Sequence, residues 1–218
     1  MKRLKIKCKP LDDLLGGGIE IGAITKVYGE AGSGKTNFCL QLTRECSTHL
    51  GKVAFIDSEG VSLERLSQMC EKGYDFKKIL EKILFFNPHS FEQQEKHIKD
   101  AINNKDVKLI VIDTLNLFYR IGLEEEKEAS MRSYLRQMAS LQMAARQKEI
   151  FVIVSEQVYT DKNGDIKPFT HRDTEHMVKT VIKFEKTSIG KRKAIIMKHR
   201  SQPEDKSTIF SIINTGLE

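Results

Sequence analysis

Apolar residues recur along this chain in three rhythms. The first is a set of short, nearly continuous runs. Residues 23–28, Val53-Ala54-Phe55-Ile56-Asp57, Ile83-Leu84-Phe85-Phe86, Lys108-Leu109-Ile110-Val111-Ile112-Asp113 and Glu149-Ile150-Phe151-Val152-Ile153-Val154 read as strands buried on both faces, as in a parallel sheet. The second rhythm is helical. Residues 37–46 place Phe38, Leu42 and Cys46 on one face, and Leu63, Leu66 and Met69 recur at the same spacing. Ser90, with Gln93 three residues on, makes a capping box for a helix carrying Phe91, Ile98 and Ala101. Glu124-Glu125-Glu126 is read as opening a long helix whose core face is Met131, Tyr134, Leu135, Met138, Leu141 and Ala145. The third rhythm is period two. Residues 178–184, 193–198 and 208–213 alternate and predict three antiparallel strands extending the sheet, with turns at 188–192 and 201–206.

Strands alternating with helices, then a β-rich end, predict an α/β fold: a mostly parallel central sheet flanked by helices, with C-terminal antiparallel strands. No repeat, linker or low-complexity stretch interrupts the pattern, so residues 1–218 are expected to form one domain. Residues 1–20 are its lead-in. Lys2, Arg3, Lys5, Lys7 and Lys9 make a basic arm, expected to be a frayed, solvated terminus, and Gly16-Gly17-Gly18 marks a turn. Residues 158–173 are expected to be irregular, a loop long enough to be functional or mobile. Within it Asp161, Asn163 and Asp165 begin like a calcium loop. The glycine is misplaced and no glutamate completes the pattern, so calcium is set aside.

Composition narrows the class. The chain is 39% hydrophobic and 30% charged, which suits a soluble globular protein. No apolar run approaches the roughly 18 residues of a membrane span, and no apolar segment follows the N-terminal lysines as a secretory signal would need. A cytoplasmic location is expected. Cys8, Cys39, Cys46 and Cys70 lack C-x-x-C spacing and read as reduced core thiols. His89 and His97 have no ligand-spaced partner and read as surface residues. The net charge of +6 permits a polyanionic partner, although solvated lysines explain it equally well.

One stretch carries the chemistry. Gly29-Glu30-Ala31-Gly32-Ser33-Gly34-Lys35-Thr36 fits G-x-x-x-x-G-K-[ST] in full, between a predicted strand and a predicted helix. Glycines let the backbone bend so that several N–H groups face one phosphate chain. Lys35 would reach the β- and γ-phosphates, the Thr36 hydroxyl would ligate Mg²⁺, and the helix would add its N-terminal dipole. Asp57 and Glu59 follow a strand's carboxyl end, where open parallel sheets bind ligands. Glu59 is a candidate to orient and deprotonate a water; the alternative is a helix-entry acid. Asp113 ends an apolar run roughly 75 residues past the loop, the pattern of an aspartate that reaches Mg²⁺ through water. Ser155-Glu156-Gln157 is polar at another carboxyl end.

With these residues placed, the chain resembles the RecA-type recombinase core, a P-loop NTPase fold, over nearly its full length. The resemblance rests on order: the phosphate loop, Phe55 to Gly60 with Glu64-Arg65-Leu66, Leu109 to Asp113 with Tyr119-Arg120, then Gln157-Val158. It is most similar to the short archaeal paralogues of RadA, which share the Leu-Leu-Gly-Gly-Gly lead-in at 14–18 and the closing Lys198-His199-Arg200 with Pro203-Glu204. The resemblance implies roles. Glu59 would polarise water, Asp113 would be the Mg²⁺-linked aspartate, and Gln157 would sense the γ-phosphate. Residues 118–124 and 158–172 would be the two DNA-binding loops, with Tyr119, Arg120, Tyr159, Lys162, Lys167 and Arg172 as contacts. From the residues themselves, Tyr119, Tyr159 and Phe169 are candidates to stack on unpaired bases, with core or surface packing as the alternative for each. Lys186, Lys191, Arg192 and Lys193 would add backbone phosphate contacts. Lys198 and Arg200 would reach a neighbouring subunit's nucleotide.

The implied cofactors are ATP and Mg²⁺. The implied partners are single-stranded or branched DNA and recombination proteins such as RadA, a Holliday-junction nuclease or a DNA polymerase. Two departures shape the expectation. Fewer than thirty residues precede Gly29, so no separate N-terminal DNA-binding domain is expected, and no Phe-x-x-Ala occurs to join subunits. The expected activity is a weak ATPase that binds DNA and assists recombination without exchanging strands. A KaiC-like regulatory ATPase and a nucleotide-gated scaffold are the alternatives.

Overall fold

Each apolar run of the sequence becomes a strand of one sheet. The protein is described from a computed structural model, which covers residues 2–162, 164 and 166–218. Asn163 and Asp165 of the calcium-like cluster lie outside the described residues. The chain opens with β1 (Arg3–Leu4), α1 (Lys9–Leu14) and β2 (Ile19–Glu20). Next come β3 (Ile24–Gly29), α2 (Lys35–His49), β4 (Lys52–Asp57), α3 (Leu63–Cys70) and α4 (Phe76–Leu80). Strand β5 (Ile83–Phe86), α5 (Phe91–Asn103) and β6 (Val107–Asp113) follow. Helices α6 (Leu117–Glu125) and α7 (Lys127–Lys148) lead to β7 (Phe151–Glu156). A hairpin of β8 (Val158–Thr160) and β9 (Ile166–Pro168) and a 3₁₀ turn at Arg172–Thr174 come before the last strands. These are β10 (Val178–Ser188), β11 (Lys191–Lys198), β12 (Ser207–Ile213) and β13 (Gly216–Leu217).

Among the described residues, the main sheet has nine strands in the order β13-β12-β11-β10-β3-β7-β6-β4-β5. From β10 to β5 all neighbours are parallel; β11, β12 and β13 continue the sheet antiparallel. Burial explains the unbroken apolar runs. Val53 and Phe55 pack with Phe38, Leu42, Leu66 and Met69 of α2 and α3. Ala54 and Ile56, the alternate residues, pack with Ile98, Tyr134, Met138 and Leu141 of α5 and α7. Both faces are therefore covered, and the stretches Val53 to Ile56 and Leu109 to Ile112 are apolar throughout.

Four expectations change. The basic arm is not frayed. β1 pairs with β2, Arg3 meets Glu20 at 2.9 Å, and Leu4, Ile6 and Cys8 are buried. The lysines at 2, 5, 7 and 9 are exposed, so the period-two signal was present beneath the charges. The acids 124–126 do not open α7. They close α6, and the chain breaks at Glu126 (φ −137°, ψ 69°) before α7 starts. The segment read as a first loop is thus helix. Residues 158–173 are not wholly irregular: β8 and β9 pair antiparallel, Tyr159 opposite Lys167. Finally, β10 is antiparallel to β11 but parallel to β3, and it runs on to Ser188 instead of turning there. The short strand β13 had no forecast.

A carboxylate clamps the outer helices. Glu95 of α5 accepts from Arg136 of α7 at 3.1 and 3.0 Å, from Ser133 at 2.6 Å and from Lys99 at 3.0 Å. The Arg136 hydrogen bonds, aided by Ser133 and Lys99, hold its carboxyl down from 4.5 to about 2. Its folded value is depressed, so its stabilisation is full above 4.5 and fades as pH falls towards about 2. Glu95→Gln is expected to cost about 1 kcal/mol near neutral pH, the charged partners Arg136 and Lys99 being exposed. Urea midpoints of the two proteins should converge as pH drops through that window. A difference that persists unchanged into acid would show that Glu95 acts otherwise.

Candidate active site

The carboxyl ends of β3, β4, β6 and β7 meet at one place, and the glycine loop lies across it. Two glycines there are compulsory. A Cβ on Gly29 would stand 2.2 Å from the Phe184 carbonyl oxygen of β10 and 2.8 Å from Ser33 Oγ. Gly34, which caps α2, sits at φ +103°, a left-handed conformation costly for any other residue. Lys35 is buried, and its ammonium donates to the Gly29 and Glu30 carbonyls at 2.8 and 3.1 Å. Burial pulls its pKa down, opposed by Asp113 and Glu59.

Asp113 ends β6 almost wholly enclosed. Burial raises its pKa; hydroxyl donation from Ser155 and Thr36 works the other way. Thr36 and Asp113 therefore face each other across the base of the site. Their hard oxygens suit a divalent cation that also takes phosphate oxygens. Ser33 Oγ is buried without a hydrogen-bond partner among the described residues, so the loop holds an unspent polar atom. These features fit a nucleotide with Mg²⁺. Among the described residues no three His, Cys, Asp or Glu side chains gather as a metal cluster of their own.

Glu59 stands above, on a turn built by Asp57. The Asp57 carboxylate accepts from the backbone N–H groups of Glu59, Gly60 and Val61 at 3.2, 2.8 and 2.6 Å. Asp57 is thus a turn anchor, and Glu59 is no helix-entry acid, because Ser62 caps α3. Glu59 accepts from Thr114 Oγ1 at 3.1 Å and from the Gln157 side-chain amide. Gly29, Ala31, Lys35, Glu59, Arg120, Gln157 and Val158 line one cavity of about 230 Å³.

Sequence reading missed the clamp that fixes Gln157. Asn116, wholly buried, accepts from Gln157 N at 2.9 Å and donates to the Gln157 and Phe169 carbonyls at 3.0 Å each. Its signal was a lone amide between Leu115 and Leu117. It also missed the buried pair Lys26–Glu156, 3.1 Å, with the Tyr134 hydroxyl donating to Glu156 at 2.7 Å.

The residues expected to contact DNA divide. Tyr119 is core: buried and stacked on Tyr134 at 4.3 Å between centroids. Its helical position turns it inward, so it is corrected to a packing residue. Arg120 lines the nucleotide cavity instead of an open loop. Tyr159, Lys162, Lys167 and Arg172 are exposed on or beside the β8–β9 hairpin, Lys167 pairing with Asp161. Phe169 is half-buried at the hairpin's foot, against Tyr119 and Tyr159. Arg192 donates to the Gly32 carbonyl at 2.9 Å, and the Lys186 ammonium lies 3.6 Å from a Cβ placed on Gly32. Both therefore abut the phosphate loop, while Lys191 and Lys193 lie on the same β11 strand. Lys198 donates to the Glu175 carbonyl at 2.7 Å and Arg200 lies 3.9 Å from Glu20, both outside the cavity.

Fold and site together define a P-loop NTPase core of the RecA type. The chain belongs to the Rad51 family, whose family model matches residues 1–218. It is 42% identical to the DNA repair and recombination protein RadB of Methanococcoides burtonii, over 99% of this chain and 97% of that protein. It is 39% identical to the protein of the same name from Pyrococcus furiosus, over 96% of this chain and 92% of that one. A solved structure titled as the RadB recombinase superposes with a TM-score of 0.87 at 33% identity, covering 99% of this chain and 98% of the other.

Asn116→Ala would leave the Gln157 N–H and the Phe169 carbonyl without their side-chain partner, while the Gln157 carbonyl keeps the Phe169 N–H at 3.1 Å. It is expected to cost about 2–3 kcal/mol and to speed amide exchange at Gln157. Unchanged exchange at that amide would exclude the clamp.

Proposed function

We propose that this protein is a DNA repair and recombination accessory ATPase. It binds ATP with Mg²⁺, hydrolyses it slowly, and binds single-stranded or branched DNA beside other recombination proteins. RadA, a Holliday-junction nuclease and a DNA polymerase are the partner classes to test. Residues 1–218 act as one RecA-like unit in the cytoplasm; four buried free thiols and the lack, among the described residues, of a helix long and apolar enough to cross a membrane are consistent with that setting. The observation that carries the reading is the convergence of Lys35, Glu59 and Gln157 on one cavity above Thr36 and Asp113.

The roles follow from position. The backbone N–H groups of residues 29–36 and the α2 N-terminus cradle the phosphates. Lys35 exchanges its two carbonyl partners for β- and γ-phosphate oxygens. Glu59 orients a water and accepts its proton, while Gln157 holds Glu59 and reports the γ-phosphate to the hairpin. Thr36 and Asp113 would hold the cation, which when bound supplies positive charge to the phosphate oxygens. The hairpin presents Tyr159, Lys162, Lys167 and Arg172 to DNA, with salt-sensitive contacts to its backbone. Lys198 and Arg200, outside their own chain's cavity, serve a neighbouring subunit when one is present.

The first test is steady-state ATP hydrolysis with and without single-stranded DNA at low salt. The expected rate is slow and changes little with DNA. Lys35→Ala should abolish ATP binding, and Glu59→Gln should lower turnover by about 10²-fold while ATP still binds. Retained nucleotide affinity in Lys35→Ala would overturn the site. Strong stimulation by DNA would replace the accessory reading with a true recombinase motor.

A further inference from the structure

Arg120 is the one charged residue of the nucleotide cavity with no task so far. Of the seven residues that line it, only Lys35 and Arg120 are cations. Lys35 comes up from the loop beneath. Arg120 comes from α6 and shares the cavity with Gly29, Ala31, Glu59, Gln157 and Val158. Glu59 and Gln157 are the residues assigned to the γ-phosphate and its attacking water, so Arg120 lines the same cavity as the groups that would meet that phosphate.

Its placement is fixed by the fold. Arg120 lies four residues after Asn116, on the same stripe of α6, and its N–H bonds the Asn116 carbonyl at 3.0 Å. Asn116 is itself bound to the main chain of Gln157 on both sides. The neighbouring Tyr119 is held in the core by Tyr134. The helix that bears Arg120 is therefore anchored to the γ-phosphate-sensing residue. Among the described residues the guanidinium has no hydrogen-bond or ion-pair partner. Glu59, the acid that shares the cavity, is occupied by Thr114 and Gln157.

The DNA-contact reading of Arg120 fits this surrounding poorly. Glu124, Glu125 and Glu126 follow directly on α6 and are exposed, a surface that repels a phosphate backbone. A terminal phosphate inside the cavity meets no such obstacle, and a guanidinium can grip two of its oxygens at once.

We propose that Arg120 is a γ-phosphate ligand supplied by the protein's own chain, which makes the site prefer ATP over ADP without a second subunit. A guanidinium supplied in cis is a known device of phosphate-transferring sites. This inference rests on the nucleotide-binding reading above.

The test compares ATP and ADP affinities by calorimetry, in protein shown to be monomeric by sedimentation. Arg120→Gln is expected to weaken ATP about tenfold or more and to leave ADP within about twofold. Arg120→Lys, which keeps charge but loses the fork, should fall between. Affinity for single-stranded DNA without nucleotide should not change. Equal losses for ATP and ADP, or no loss for either, would overturn the proposal. So would a loss of DNA affinity with nucleotide affinities intact. Lys35→Ala separates the two levels: if it still binds both nucleotides, the nucleotide site itself is wrong, whatever Arg120 does.

Discussion

The structure depends on a carboxylate that it buries. Asp113 sits at the end of a central strand, away from water, where an uncompensated charge would cost several kcal/mol. Its oxygens are met by hydroxyls from two other elements, Thr36 of α2 and Ser155 of β7, and the buried Lys35 ammonium lies close enough to lower its pKa. Lys35 has the mirror problem: burial disfavours its charge, and Asp113 restores part of it. Each group makes the other tolerable. The phosphate loop, β6 and β7 are consequently held in one register, so the site is organised before any phosphate arrives.

Beside this centre runs a second polar system, on the other face of the sheet. Glu156 is enclosed and answered by Lys26 of β3 and by Tyr134 of α7, whose hydroxyl also lies 3.1 Å from Thr170. The next residue, Gln157, turns to the cavity and meets Glu59. Consecutive residues of one strand end therefore tie the β8–β9 hairpin to the core and to the nucleotide cavity. Asn116 closes the arrangement by gripping Gln157 and Phe169, at the hairpin's two feet. Movement at Glu59 or Gln157 has a short, hydrogen-bonded path to the exposed hairpin, because little soft material lies between them.

Much of this was legible in the sequence, and the failures have physical causes. The central strands were readable because both their faces are buried, which forces unbroken apolar runs such as Leu109 to Ile112. The phosphate loop was readable because its backbone geometry admits few residues at Gly29 and Gly34. Edge elements were harder. In β1 and the residues after it the buried Leu4, Ile6 and Cys8 alternate with cations, and the charges drew the reading toward a loose tail. The glutamates after Ile121 resembled a helix start, yet the turn at Glu126 is a tertiary event that no local propensity records. Partners such as Asn116 with Gln157 are 41 residues apart, so only the fold could pair them.

The remaining cations fall in two places relative to the cavity. On β11, Lys198 pairs with Val181, which pairs with Lys26, three residues before Gly29 on β3. At strand spacing that is about 10 Å short of the loop's first residue, and the nucleotide would lie farther still. The Lys198 ammonium also bends to the Glu175 carbonyl, and Arg200 lies 3.9 Å from Glu20. Neither lines its own chain's cavity, whereas Lys35 and Arg120 line it and Arg192 abuts the phosphate loop. The cations of the single chain are thus split between those the fold gathers at the cavity and those it holds away from it at the far end of β11.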